Sequence, residues 1–217
     1  MLKMAPEGRI ILLPLLSLAL VATAGLVWVP QVWLKTLAGL MWLLVVFSLQ
    51  FFRDPQRGLP VDSRAFISPA DGRVVAIEAI GYDDDLQAEA LRISIFLSIF
   101  NVHAQWVPID AHVEETRYQR GKFLVAFNQR ASHENEQGVT LFTSEGGKFM
   151  VKQIAGAIAR RILSYMRPGE DVHRGDRLGY IRFGSRVDII LPADFRVRVK
   201  VGDKVRGTTS IIGHFAS

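Results

Sequence analysis

Apolar residues are spread unevenly along this chain, and two stretches of it carry no charge at all. Every residue from 10 to 29 is uncharged, and a helix of that length, rising about 1.5 Å per residue, crosses the ~30 Å hydrocarbon core of a bilayer. The run 36–52 is uncharged as well, and only Pro30-Gln31-Val32-Trp33-Leu34-Lys35 separates the two. The pattern predicts a transmembrane helical hairpin, with helices over 10–29 and 36–52 and Trp28, Trp33 and Trp42 as interface anchors. At Phe51-Phe52-Arg53-Asp54-Pro55-Gln56-Arg57-Gly58 the composition turns charged and proline-bearing. That change sets the expected boundary between an anchor, 1–52, and a catalytic domain, 53–217.

Beyond the boundary the periodicity shortens. Segments 73–78, 91–99, 113–118, 138–143, 149–154, 178–181 and 187–192 are rich in β-branched and aromatic residues and are spaced by turn residues, so they predict strands. One stretch, 157–165, reads as a helix. A near-repeat places Gly-Asp at a tight turn twice, in Val172-His173-Arg174-Gly175-Asp176 and in Val199-Lys200-Val201-Gly202-Asp203. Together with Ser68-Pro69-Ala70-Asp71-Gly72 leading into a strand, this resembles the flattened β-sandwich of lipoyl and biotinyl carrier domains, although no lysine stands at a hairpin tip. The expected fold is therefore mainly β with few helices, a barrel-sandwich-hybrid-like domain preceded by the membrane hairpin.

Charge then orients the hairpin. Lys3 and Arg9 precede the first run and Arg53, Arg57 and Arg64 follow the second, while the turn between them offers Lys35 alone. That bias puts both ends of the hairpin, and the large domain with them, on the cytoplasmic side of the inner membrane. A secretory signal ending near Ala22-Thr23-Ala24 is the alternative for the first run, and even then the second span would deliver everything after Arg53 to the cytoplasm. The net charge of +5 over 217 residues is scattered rather than gathered into a basic, aromatic stripe. This argues against nucleic acid and for an anionic lipid surface. The chain has no cysteine, which excludes disulfides, thiolate nucleophiles and cysteine zinc sites. His112, His133, His173 and His214 show no metal-binding spacing, so no metal is expected, and no glycine-rich phosphate loop occurs. Self-association is left open.

The candidate chemistry centres on Arg182-Phe183-Gly184-Ser185-Arg186, set between two strand-like runs. Gly184 lacks a Cβ, so its carbonyl is open on both faces, and in a tight bend the Ser185 hydroxyl could attack it and split the chain at that bond. Asp71 and His103 supply a carboxylate and a base of reference pKa ~6.5, which is what an alcohol needs to attack a peptide near neutral pH. Each residue also has a bland reading. Asp71-Gly72 and Gly184-Ser185 are turn signals, and a lone histidine at a strand end is commonly just packed.

Five ordered motifs carry a resemblance: Phe51-Phe52-Arg53-Asp54-Pro55, Ser68-Pro69-Ala70-Asp71-Gly72, Asn101-Val102-His103, Gln153-Ile154-Ala155-Gly156 through Ala159-Arg160-Arg161, and Ile181-Arg182-Phe183-Gly184-Ser185-Arg186. In this the chain resembles the bacterial phosphatidylserine decarboxylase proenzymes of the short, membrane-anchored type. The resemblance implies self-cleavage at Gly184–Ser185 into a β chain, 1–184, and an α chain, 185–217, with Ser185 converted to a covalent pyruvoyl group. It further implies an Asp71-His103-Ser185 triad and a substrate that is an anionic serine phospholipid held in the membrane; the proton that must be returned after carbon dioxide leaves is expected from His103 as general acid. For that substrate Phe51 and Phe52 would seat the enzyme at the interface and Arg53 or Arg57 would lie near the lipid phosphate, although a charged stop after a membrane helix accounts for the arginines equally well. Two departures accompany the likeness: Ala104-Gln105-Trp106-Val107-Pro108 follows His103 where Val-Asn-Arg is more usual, and Gly207-Thr208-Thr209-Ser210 stands where Gly-Glu-Thr is usual, which creates a rival Gly-Thr junction without the flanking Phe183 and Arg186. The alternatives left open are a decarboxylase of another serine lipid and a membrane-tethered, non-enzymatic adaptor or carrier-like module in which the chain stays intact.

Overall fold

The computed structural model describes residues 3–29, 31–121, 135–156, 162–181 and 185–216. It folds as two compact units, Met1–Gln56 and Arg57–Ser217.

In the first unit a 3-10 turn, Pro6–Gly8, leads into α1, Arg9–Gly25, and α2 follows over Val32–Phe51. Against the expected 10–29 and 36–52, the loop is shifted toward the N-terminus. The amides of Trp28 and Val29 both return to the Gly25 carbonyl, which closes α1. A residue that precedes a proline, as Val29 does, is steered away from helical geometry. Gln31 then takes an extended conformation as the N-cap, so Val32, Trp33, Leu34 and Lys35 join α2 instead of the turn. Leu12, Ala19 and Val45 pack between the helices, and the Trp42 indole donates to the Thr23 hydroxyl at 3.0 Å. Leu13, Val21 and Val46 point outward and are exposed. Both helices are long and apolar enough to cross a membrane, and an apolar exterior of this kind is what a membrane-associated hairpin presents.

The second unit is mostly β. Its strands in chain order are β1 (Phe66–Ile67), β2 (Gly72–Asp83), β3 (Ala88–Leu97), β4 (Ala104–Trp106), β5 (Ala111–Gln119), β6 (Gln137–Ser144), β7 (Gly147–Ala155), β8 (Ile162–Ser164), β9 (Asp171–Val172), β10 (Arg177–Ile181), β11 (Ser185–Pro192), β12 (Arg196–Val197), β13 (Lys204–Val205) and β14 (Ile211–His214). An eight-stranded sheet in the order β13-β2-β3-β11-β7-β6-β5-β9 curls into a half-barrel. Two three-stranded sheets, β1-β14-β12 and β4-β10-β8, accompany it. Strand alternation builds the core. Leu91, Ile93, Ile95 and Leu97 of β3, Val187, Ile189 and Leu191 of β11, and Phe149, Val151 and Ala155 of β7 all enter one buried cluster. Phe66 caps it, edge-on to Phe149, Phe195 and Phe215 at ring separations of 5.1, 5.5 and 5.9 Å.

The near-repeat is a repeated turn. Gly175 and Gly202 adopt φ of +92° and +98°, a region open to glycine and strained for other residues. In each copy the following aspartate folds back on the backbone, Asp176 accepting from the His173 N–H at 2.8 Å and Asp203 from the Lys200 N–H at 3.0 Å. Each glycine N–H also reaches across to a neighbouring segment, Gly175 to the Val107 carbonyl and Gly202 to the Val74 carbonyl.

The helix expected over 157–165 is a correction. Residues 157–161 lie outside the described residues, and Ile162–Ser164 is a strand paired with Gly179, Tyr180 and Ile181 of β10. Gly179 makes this possible, because a Cβ there would stand 2.2 Å from the Leu163 carbonyl oxygen. An available strand partner outweighs a local helical preference worth a few tenths of a kcal/mol per residue, of order ~0.5.

Candidate active site

Ser185 is the first residue of β11 and lies between two neighbours, Leu97 of β3 on one side and Ala155 of β7 on the other. Alternation turns it to the same face as Val187 and Ile189, toward the core. It is fully buried, and its hydroxyl has no hydrogen-bond partner among the described residues. Leaving a buried hydroxyl unpaired costs about 1–3 kcal/mol, so Ser185 is held in an unrelaxed state; among the described residues the Thr208 hydroxyl is buried without a partner as well. Gly184, with Arg182 and Phe183, lies outside the described residues.

Arg186 turns to the opposite face and is buried too. Its Nε donates to Asp188 Oδ1 at 2.6 Å and its Nη2 to the Ser94 hydroxyl at 2.6 Å. A charged pair this deep, with side-chain exposures of 3% and 1%, is retained only where both partners are satisfied. It locks β11 against β3 one residue after Ser185.

His103 arrives on the same end of the sheet by a different route. After Leu97 the chain turns through 98–101 and re-enters the fold. Its return is fixed by the His103 carbonyl, which accepts from the Ile181 N–H at 3.1 Å and from Gln105 Nε2 at 2.7 Å. Gln153 in turn donates to Gln105 Oε1 at 2.9 Å. The segment 98–103 is thus tied to β11 at one end, through Leu97 beside Ser185, and to β10 at the other, through His103 beside Ile181. Ser185 is four steps along the chain from Ile181, a reach of at most about 14 Å. The His103 ring is buried, and its Nδ1 lies 3.0 Å from the Asn101 carbonyl. A carbonyl only accepts, so Nδ1 carries the hydrogen and the lone pair of the neutral ring is on Nε2.

Asp71 precedes β2 at this same end. Arg73 pairs with Phe96, and one step further along that register Gly72 comes beside Leu97, whose other neighbour is Ser185. Adjacent strands lie ~4.8 Å apart, so the backbones of Gly72 and Ser185 are roughly 10 Å from each other. The Asp71 carboxylate itself is engaged elsewhere than at the imidazole. Both oxygens receive Arg57, at 2.5 and 2.8 Å, and Oδ1 also accepts from the Gly207 N–H at 2.8 Å. Arg57 Nη1 donates to the Gly207 carbonyl at 3.0 Å, and its guanidinium lies 5.8 Å from the ring centre of Trp106. In the rival junction, then, the Gly207 carbonyl is already held by Arg57, and Thr208 sits at φ +68° with its amide bonded to the Ser68 carbonyl.

The remaining residues singled out in the sequence fall in the first unit, save Arg57. Phe51 and Phe52 are buried, ring against ring at 4.9 Å, with Phe52 closed over Gly8. Arg53 donates to the Gln50 carbonyl at 2.6 Å. Sequence reasoning missed three supports of the site: the Asn101 carbonyl that sets the His103 tautomer, the Gln153–Gln105 relay, and the Arg186–Asp188–Ser94 clamp. Only the last left a signal, an arginine and an aspartate two apart in an otherwise apolar strand.

A sequence model of the family described as phosphatidylserine decarboxylase matches residues 44–213. Curated relatives named phosphatidylserine decarboxylase proenzyme include one from Burkholderia pseudomallei, 49% identical over 177 residues that span 81% of this chain and 82% of the relative. A Burkholderia mallei protein of the same name has the same identity and coverage. One from Burkholderia vietnamiensis is 48% identical over 172 residues, 79% of this chain and 80% of the relative.

Proposed function

The chain belongs to the phosphatidylserine decarboxylase family, and we propose that it converts phosphatidylserine to phosphatidylethanolamine and carbon dioxide using a pyruvoyl group made from its own Ser185. The observation that carries this reading is the Ser185 hydroxyl, buried without a partner at the first position of a central strand. An orphaned alcohol in that place fits a group that is consumed, and a pyruvoyl made from it would be held by β3 and β7 on either side.

In maturation Ser185 Oγ attacks the Gly184 carbonyl carbon as its proton passes to His103 Nε2. The Gly184–Ser185 C–N bond then breaks and the proton moves to the freed Ser185 amine, leaving Gly184 as an ester on Oγ. Removal of the Ser185 α-proton expels the Gly184 carboxylate and leaves a dehydroalanine at 185. Its enamine tautomerises, adds water and loses ammonia to give the ketone. Asp71, bonded to Arg57 and the Gly207 N–H, is assigned to holding the 57, 71 and 207 segments together beside β2, with its charge balanced by Arg57. The pyruvoyl ketone supplies the electron sink that accepts the electron pair released as carbon dioxide leaves the serine headgroup. His103 is assigned the return of a proton to the headgroup carbon.

The α chain, 185–217, contains β11, β12, β13 and β14, and these pair with β3, β7, β2 and β1 of the β chain or with one another. Cleavage therefore leaves the two products interleaved. Because Arg57 is bonded to Asp71, we assign it to the charge balance of the site and leave Arg53 as the residue for the lipid phosphate. With the charge pattern of the hairpin, the reading locates the second unit on the cytoplasmic face of the inner membrane.

The experiment is direct. Purified full-length protein in detergent-lipid micelles is supplied with phosphatidylserine labelled at the headgroup carboxyl. Release of labelled carbon dioxide with phosphatidylethanolamine as the product is expected. Cleaved protein that turns over another serine lipid but not this one would contradict the substrate assignment.

A further inference from the structure

We propose that the turn at 98–101 is a membrane-dipping tip whose Ile99 and Phe100 enter the interface of an anionic bilayer and set the height of residue 185 above it. This rests on the lipid substrate proposed above and specifies how the site reaches it.

The side chains of β3 that point inward are buried up to Leu97, and the pattern then breaks. Ile99 is 36% and Phe100 66% exposed, whereas Val102 and His103 are again fully buried. Two adjacent apolar side chains are thus exposed at the turn that joins Leu97, beside Ser185, to His103. The turn presenting them is closed on itself. Asn101 Oδ1 accepts from the Ser98 N–H at 2.9 Å and from the Ser98 hydroxyl at 2.7 Å, and the Asn101 N–H donates to the Ser98 carbonyl at 2.9 Å. These bonds pair the Ser98 amide, hydroxyl and carbonyl and the Asn101 amide within the turn, which lowers the cost of carrying it into a medium of low polarity.

Its position matches the task. Leu97 is paired with Ser185, and Phe100 is three residues further on, no more than about 10 Å away. Interfacial apolar side chains settle roughly 5–10 Å into the boundary between headgroups and acyl chains. A tip at that depth brings residue 185 level with the headgroups. The flank is basic. Lys204 pairs with Arg73 at the start of β2, beside Phe96, and Arg73, Lys204 and Arg206 are all exposed. An apolar tip flanked by cations is complementary to an anionic lipid surface rather than to a neutral protein groove.

The absence of cysteine allows a clean test. Phe100→Cys in the full-length chain is labelled with a polarity-sensitive fluorophore and reconstituted into phosphatidylglycerol-containing vesicles. Tyr82→Cys serves as the reference, since Tyr82 is 62% exposed and pairs with Glu89 at the far end of the β2–β3 hairpin. The label at 100 is expected to shift to the blue and to be quenched several-fold more by lipid-borne than by aqueous quenchers, with the label at 82 showing the reverse. Equal behaviour of the two labels, whether both aqueous or both lipid-embedded, overturns the proposal. A second variant, Phe100→Ser, is expected to raise the apparent KM for phosphatidylserine in vesicles several-fold while self-cleavage proceeds normally; an unchanged KM counts against the tip. The fluorescence readout needs neither cleavage nor turnover, so its failure is distinguishable from failure of the decarboxylase assignment.

Discussion

Replacing Ser185 with alanine is expected to leave the chain whole at 24.3 kDa and to reduce decarboxylation to the uncatalysed background. This outcome is distinct from misfolding. Ser185 Oγ is buried with no partner among the described residues, so its removal deletes an unsatisfied polar atom and leaves a methyl group on the core face of β11. Deleting such a group relieves up to about 1–3 kcal/mol. Ser185→Ala should therefore unfold at the same or a higher temperature than uncleaved wild-type chain while failing at both steps of chemistry. Thermal unfolding followed by circular dichroism, together with a denaturing gel, reads both. A Ser185→Ala protein that still divides in two would move the scissile bond elsewhere, Gly207–Thr208 being the nearest rival in composition.

The second large effect is expected on the opposite face of the same strand. Asp188→Ala strips the buried Arg186 guanidinium of its carboxylate, and an uncompensated charge in the interior costs about 3–5 kcal/mol. For a chain of this length that lowers the midpoint of thermal unfolding by roughly 6–20 °C. The loss should also reach the chemistry. Arg186 bridges Asp188 of β11 to Ser94 of β3, and under the proposed maturation β11 would become the free end of a separate chain. With the clamp gone, residue 185 is held by backbone pairing alone, and kcat should fall more than the affinity for lipid. The double variant Arg186→Met, Asp188→Leu removes both charges and should recover most of the stability without restoring full turnover. Recovery of both together would make the pair purely structural.

These two faces of β11 also show what could be read from the chain and what could not. The strand itself was legible, because Val187-Asp188-Ile189-Ile190-Leu191 between turn residues has the composition of a buried strand. That Arg186 and Asp188 bond to each other inside the protein was not, because burial on both faces of one strand depends on partners distant in sequence. The repeated Gly-Asp turns were legible for a local reason: a glycine at positive φ and an aspartate folding onto an amide three residues back need nothing from elsewhere. The apolar helical hairpin was legible from length and absence of charge, and its loop was displaced by the end of α1 at Gly25 and the N-cap at Gln31. The helix expected over 157–165 failed in its described part because Ile162–Ser164 finds an open edge on β10, a tertiary fact no local window contains.

The site divides along the same line. Asp71, His103 and Ser185 were picked out by residue type and motif, and strand register gathers their backbones at one end of the large sheet. Their immediate bonds were not foreseeable. The sequence reading set Asp71 directly behind His103, whereas its carboxylate is bonded to Arg57 and Gly207 and the imidazole is oriented by a backbone carbonyl two residues before it. Such partners are chosen by loop geometry, which spacing does not encode.

The measurement that bears most directly on the account is the intact mass of the wild-type protein, purified from membranes and denatured with and without prior treatment with a carbonyl-reactive hydrazine. Two species are predicted, one ending at residue 184 and one beginning at residue 185, and only the smaller should gain mass from the reagent. A single unreactive species of 24.3 kDa from folded, lipid-embedded protein would contradict it.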